Sequence, residues 1–129
     1  MKRVITFGTF DLFHIGHLNI LERAKALGDY LIVGVSSDQL NHIKKNKLPI
    51  YNQDQRLRII SALRIVDKVF IEESLELKGD YIKKYKADVL VMGDDWKGKF
   101  EEYKKLCDVA YLNRTPSIST TEIIESIKS

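Results

Sequence analysis

One cysteine, two prolines and seven glycines among 129 residues exclude several kinds of protein at once. The single thiol, Cys107, can form neither an internal disulfide nor a cysteine-based zinc site, and reads as a small core residue. The glycines fall at 8, 16, 28, 34, 79, 93 and 98, so neither the dinucleotide-binding glycine pattern nor the P-loop pattern is present. No apolar run approaches the roughly 20 residues needed to cross a bilayer, so no membrane partner is expected. The basic, apolar start from Met1 to Phe7 is too short for a signal peptide and runs into Gly8 and Asp11, so the expected compartment is the cytoplasm. Lys and Arg exceed Asp and Glu by only 21 to 18; a net charge of +3 suggests no nucleic-acid partner, which would call for a concentrated basic face. What remains is 44% hydrophobic and 30% charged, an ordinary globule of one domain spanning 1–129.

Strand-like and helix-like segments alternate along the whole chain. Val4 to Phe7 is apolar and β-branched and stops at Gly8. Leu18, Leu21, Ala24 and Leu27 recur at helical spacing, with Gly28 as a stop. Tyr30 to Val35 and Val89 to Met92 are almost continuously apolar, as expected of strands buried on both faces of a parallel sheet. Val66 to Ile71 and Val109 to Leu112 complete five strands. Helices are expected over Arg56 to Leu63, Lys78 to Lys86, Phe100 to Leu106 and Thr121 to Ile127. Asn41 to Asn52 reads as one long polar connection carrying Lys44, Lys45 and Lys47. The alternation predicts an α/β fold: a single Rossmann-like doubly wound domain with a five-stranded parallel sheet. Ligands then bind beyond the carboxyl ends of the strands.

The first such end is the richest. Gly8-Thr9-Phe10-Asp11-Leu12-Phe13-His14-Ile15-Gly16-His17 joins strand to helix. Gly8 permits a tight turn, and a helix starting near Ile15 offers unpaired N–H groups and a positive dipole end. His14 and His17, three apart, point the same way from its first turn and can donate to phosphate oxygens as charge builds in a transition state. A pair of surface histidines or half a metal site is the plainer reading. Two of only three histidines, set between glycines at a strand's carboxyl end, favour phosphate. His42 has no such setting and reads as an exposed helix residue. Ser119, Thr120 and Thr121 suit either a phosphate or simple helix capping, and Arg114 five residues before Ser119 tips the balance towards phosphate.

His14-Ile15-Gly16-His17 after Gly8-Thr9-Phe10-Asp11 resembles the signature of the HxGH nucleotidyltransferase superfamily. Class I aminoacyl-tRNA synthetases share it, but they are far longer and have a lysine-rich loop signature absent here. Arg114-Thr115-Pro116-Ser117-Ile118-Ser119-Thr120-Thr121 resembles the second signature of the cytidylyltransferase branch. Val91-Met92-Gly93-Asp94-Asp95-Trp96 and Arg64-Ile65-Val66-Asp67 fit the same branch. The family usually has Glu-Gly where this chain has Pro116-Ser117, which removes a glycine from that loop.

The resemblance implies transfer of a cytidylyl group from CTP to a small phosphate ester, sn-glycerol 3-phosphate above all. The products would be CDP-glycerol and pyrophosphate, and CDP-glycerol would feed teichoic-acid or capsular polysaccharide synthesis. It implies His14, His17, Lys44 and Arg114 as catalytic residues. It implies CTP contacts from Thr9, Phe10, Asp11, Ile15, Gly16, Arg64, Asp94, Thr115, Ile118, Ser119, Thr120 and Thr121 as well as from His14, His17 and Arg114. Acceptor contacts fall on Lys44, Lys47 and Lys78, with Lys45 in place of Lys47 if no residue is inserted. Mg²⁺ is the implied cofactor, with Asp11 as its ligand through water; orienting a histidine and forming a turn are the alternative roles of Asp11. A homodimer with its contact near Arg56 to Asp67 is implied. Phosphoethanolamine and phosphocholine cytidylyltransferases are the nearest rivals, and a catalytically silent nucleotide-binding regulator is a rival of another class.

Overall fold

Val4, Ile5, Thr6 and Phe7 point alternately to the two faces of the sheet, and all four are buried. This is the innermost strand, β1 (Arg3–Gly8), and every other element is arranged about it. The computed structural model describes residues 1–113 and 120–128. After β1 come α1 (Ile15–Lys25), β2 (Tyr30–Ser36), α2 (Asp38–Lys45), α3 (Gln53–Ser61) and β3 (Lys68–Glu72). Then follow α4 (Lys78–Lys84), β4 (Val89–Gly93), β5 (Asp108–Leu112) and α5 (Thr120–Lys128). Short 3₁₀ turns occupy Leu75–Leu77, Asp94–Trp96 and Glu101–Lys105. The last of these stands where the sequence predicts a helix over Phe100 to Leu106.

The sheet order is β3-β2-β1-β4-β5, and every pairing is parallel. Val4, Leu31, Val33, Val35, Val89 and Val91 face one way, where Leu21 and Ala24 of α1 and Ile60 of α3 cover them. Ile5, Phe7, Ile32, Leu90 and Met92 face the other way, with Ile82 of α4. Burying each Ile, Leu or Phe here stabilises the fold by about 1.5–3 kcal/mol. Gly34 in mid-β2 is needed for packing: a Cβ there would lie 2.7 Å from both the Phe7 and Phe70 rings. Those rings meet edge to face at 5.8 Å.

One expectation is corrected. The polar stretch from Asn41 is not a loop from its start, because α2 runs through it to Lys45. Ser37 caps this helix by accepting from the Leu40 N–H, Asp38 sits in its first turn, and Leu40 and Asn41 are buried. Asn46, at φ 54°, ends it in the left-handed region. Lys44 and Lys45 are therefore held on a helical turn, and only Lys47 lies in the following connection. His42 is exposed on α2, as expected.

Candidate active site

The strand order reverses between β1 and β4, the neighbours at the centre of the sheet. Connections leave such a pair in opposite directions, which opens a crevice at their carboxyl ends. The segment 9–14 leaves β1 at Gly8, and the Asp94–Trp96 turn leaves β4 at Gly93. A Cβ on Gly8 would sit 2.9 Å from the Phe10 ring. Gly8 therefore serves ring packing, while the left-handed residues of the turn are Phe10 (φ 55°) and Leu12 (φ 49°).

The two histidines close the start of α1. His14 is the N-cap, and its Nδ1 accepts from the Gly16 N–H at 3.0 Å. His17 is the third helical residue, and its Nδ1 accepts from the His14 N–H at 3.2 Å. This is a capping box built of imidazoles. It corrects the expectation of unpaired N–H groups here, because those of His14 and Gly16 are already engaged. With each Nδ1 accepting, the proton of each neutral ring must sit on Nε2. The rings stack at 3.8 Å, and Phe10 and Phe13 each lie 5.5 Å from His17. Burial lowers the His17 pKa to about 4, the neighbouring His14 adds to the shift, and Asp11 opposes it. Burial lowers that of His14 too. At neutral pH the site therefore presents two uncharged Nε2–H donors.

Asp11 is buried, at 8% exposure. Its Oδ1 accepts from the N–H groups of Leu12 (3.1 Å) and Tyr51 (2.9 Å), and its Oδ2 from that of Ile50 (2.7 Å). The described residues contain no group of three or more His, Cys, Asp or Glu side chains able to hold a metal ion. A carboxylate so engaged, and in no such group, does not fit the Mg²⁺ ligand expected of it.

On the other side of β1 the site is strongly cationic. Arg56 is fully buried, and it donates to the carbonyls of Tyr51, Thr9 and Ser36 and to Asp38 Oδ1 at 2.8–3.0 Å. Lys78 pairs with Glu72 at 2.6 Å, both about 2% exposed, and its ammonium lies 3.8 Å from the centre of the Phe7 ring. Lys44 is half-buried beside this pair. Burial pulls its pKa below the usual lysine range, Lys45, Lys78 and Arg56 add to the effect, and Glu72 opposes it. Lys45 reaches Thr9 Oγ1 at 3.5 Å, and burial lowers its pKa as well, with Lys47 adding and Asp11 opposing. Thr9 Oγ1 itself donates to Asn41 Oδ1 and accepts from the Ser36 hydroxyl.

The structure thus gathers Thr9, Phe10, Asp11, His14, Ile15, Gly16 and His17 on one loop and helix start, with Lys44 and Lys78 across β1 and β2. Ile15 is 55% exposed and open to a ligand, and Asp94 is half-buried at the end of β4. Thr120 Oγ1 donates to the Asp11 carbonyl at 2.9 Å, which brings α5 to the same loop; Thr121 follows it, exposed. Arg64 is not gathered in. It is exposed and lies just before Asp67, whose N–H binds the Leu31 carbonyl at the opposite, amino-terminal edge of the sheet. Lys47 is exposed beyond α2. Arg114, Thr115, Ile118 and Ser119 lie outside the described residues. Sequence reasoning missed Asn41 and Glu72. Both are polar residues in otherwise buried settings, and the five-residue step from Ser36 to Asn41 carries no motif.

A family model described as cytidylyltransferase-like matches residues 5–126. The chain is 50% identical over 129 residues to a glycerol-3-phosphate cytidylyltransferase of Bacillus spizizenii, covering 100% of this chain and 99% of that one. It is 47% identical over 127 residues to the glycerol-3-phosphate cytidylyltransferase of Staphylococcus aureus, covering 98% and 96% of the two chains. Among solved structures, the lipopolysaccharide core biosynthesis protein of Thermoplasma volcanium superposes with a TM-score of 0.79 at 29% identity, covering 89% of this chain and 98% of that one.

Proposed function

The chain belongs to the cytidylyltransferase-like family, and on that premise we propose that it is a glycerol-3-phosphate cytidylyltransferase, converting CTP and sn-glycerol 3-phosphate to CDP-glycerol and pyrophosphate. The observation that carries this reading is the His14–His17 pair. Each Nδ1 is tied to the backbone, and each Nε2–H is left as a donor at the switch point. An oxygen of the acceptor phosphate attacks the α-phosphorus of CTP. A new P–O bond forms, the bond to the β-phosphate oxygen breaks in line, and pyrophosphate leaves with its electron pair. No side chain becomes covalently attached. The two Nε2–H groups brace the charge that builds on the α-phosphoryl oxygens, and being already positioned they need no reorganisation. Neutral imidazoles suit this task, because they donate without having to release a proton.

Lys44, set beside Lys78 and Arg56, which are paired with Glu72 and Asp38, meets the acceptor phosphate. Arg114 and the second signature hold the triphosphate, and Asp94 lies where the nucleoside is recognised. The described residues offer no ligand set for Mg²⁺; bound with CTP, the ion would neutralise triphosphate charge. The cationic cluster favours a doubly negative acceptor and disfavours the ammonium of phosphoethanolamine or phosphocholine. The product suits teichoic-acid or capsular polysaccharide synthesis. Among the described residues no helix is long and apolar enough to cross a membrane. The chain works as a homodimer, docked through the face of α3 where Tyr51, Gln55, Arg58, Ile59 and Ala62 line a shallow groove. Pyrophosphate release, measured for each nucleoside triphosphate with each acceptor, tests the assignment. CTP with glycerol 3-phosphate is expected to give the highest kcat/KM, and a higher value with phosphoethanolamine, phosphocholine or ATP overturns it.

A further inference from the structure

We propose that Asp11 is a positioning residue, the junction that holds the lysine-bearing segment and the start of α5 in register with the histidine pair, and that it is not a metal ligand. The proposal rests on the cytidylyl-transfer reading of the site. Three stretches of chain meet at this one residue. Its carboxylate accepts from the consecutive N–H groups of Ile50 and Tyr51, 39 and 40 residues away. Its carbonyl accepts from the Thr120 hydroxyl, 109 residues away. It sits three residues before His14, between Phe10 and Leu12, both in left-handed backbone. A turn-forming aspartate accounts for the Leu12 contact alone. It does not account for two donors from the connection between α2 and α3.

That connection starts directly after Lys44 and Lys45. Its far end is fixed twice: by Asp11, and by Arg56, which donates to the Tyr51 carbonyl and to Thr9. Hydrogen bonds to an ionised, buried carboxylate are about twice as strong as neutral ones. Two of them set in tandem define both the position and the direction of the segment. A divalent ion on Asp11 would meet N–H donors already seated on both oxygens, and the described residues contain no group of three or more His, Cys, Asp or Glu side chains to share it. Asp11 therefore acts through the lysines and through Thr120, not on the phosphates.

The test reads amide exchange together with kinetics. In the wild-type protein without ligand, the Ile50 and Tyr51 amides are expected to exchange slowly, and Mg²⁺ alone is expected to leave them unchanged. In Asp11→Asn they lose protection, while the amides of Ile5 and Val33 in the sheet keep theirs. Turnover of CTP with glycerol 3-phosphate falls on the order of a hundredfold, as for a displacement of about 1 Å in a positioned site. The Mg²⁺ concentration for half-maximal rate does not move. Thr120→Val, which removes only the hydroxyl spoke, raises KM for CTP and leaves Ile50 and Tyr51 protected. Unprotected Ile50 and Tyr51 amides in the wild type overturn the proposal. So does a response of those amides to Mg²⁺ alone, or a raised Mg²⁺ requirement in Asp11→Asn with both amides still protected. If Asp11→Asn does not fold, the wild-type exchange and its response to Mg²⁺ decide the matter. If the wild type turns over neither substrate, the assigned reaction fails, and the exchange data still decide the role of Asp11.

Discussion

Each site histidine has two jobs, one per nitrogen. Nδ1 completes the cap of α1, and Nε2–H is the donor that the proposed reaction uses. Alanine at either position is expected to lower kcat by about a hundredfold, the usual loss on removing a transition-state donor. His14→Ala also removes the N-cap acceptor and destabilises the chain by about 1 kcal/mol. His14→Asn keeps a capping acceptor and separates the two effects; kinetics and melting curves on both variants distinguish them. Acid acts through the same atoms. The folded pKa of His17, about 4, lies below its unfolded value near 6.5, and that of His14 is lowered too. The unfolded chain therefore binds more protons than the folded one as pH falls below 6.5. Stability is fully present above that pH and is lost progressively on acidification towards 4. Tm is expected to drop between pH 6.5 and 5, and to drop less in His17→Asn. An unchanged slope in that variant would place the acid sensitivity elsewhere. The sequence showed where these histidines lie. It hid their capping role, because His is not a usual cap residue, although the three-residue step from cap to partner is that of any capping box.

At the scale of elements, α2 is where the expectation and the structure part. Its polar composition reads as a loop, yet a serine cap and two inward-facing residues, Leu40 and Asn41, suffice for a helix that tertiary contacts then hold. The helix gives Lys44 and Lys45 different neighbours: Lys44 the Glu72–Lys78 pair, Lys45 the Thr9 hydroxyl and Asp11. Lys44→Ala is expected to lower kcat/KM by about tenfold or more, felt chiefly as weaker use of glycerol 3-phosphate. Lys45→Ala is expected to do less damage, felt at CTP. Steady-state kinetics with each substrate varied in turn will show the split, and two equally small effects would return both lysines to plain surface. The strands were legible because almost continuously apolar runs such as Tyr30 to Val35 fit little else. The buried polar network of Thr9, Ser36, Asn41 and Arg56 was not legible, because it joins residues from separate elements that the sequence does not place together.

For the whole molecule, the five-stranded parallel sheet followed from the alternation of segments, and the relatives at 50% and 47% identity agree with the expected family and activity. Ile43, Leu48 and Ile50 are each more than 60% exposed, close in sequence to the groove on α3. Apolar surface of this kind is ordinarily covered. Light scattering at micromolar concentration is expected to give twice the chain mass of 14.9 kDa; the monomer mass would remove the homodimer from the proposal. The strand order also has a consequence in time. β1, β2 and β3 are adjacent in that order in the sheet and are the first three strands of the chain, so this half can pair as soon as it exists. The crevice needs β4, which meets β1 across a sequence separation of 85 residues. Loop closure on that scale is slow relative to local pairing. The histidines are therefore present and capped early, and the space between them and Asp94 comes into being only when β4 docks. A chain stalled during synthesis before Val89 has its two capped histidines and no crevice for them to face.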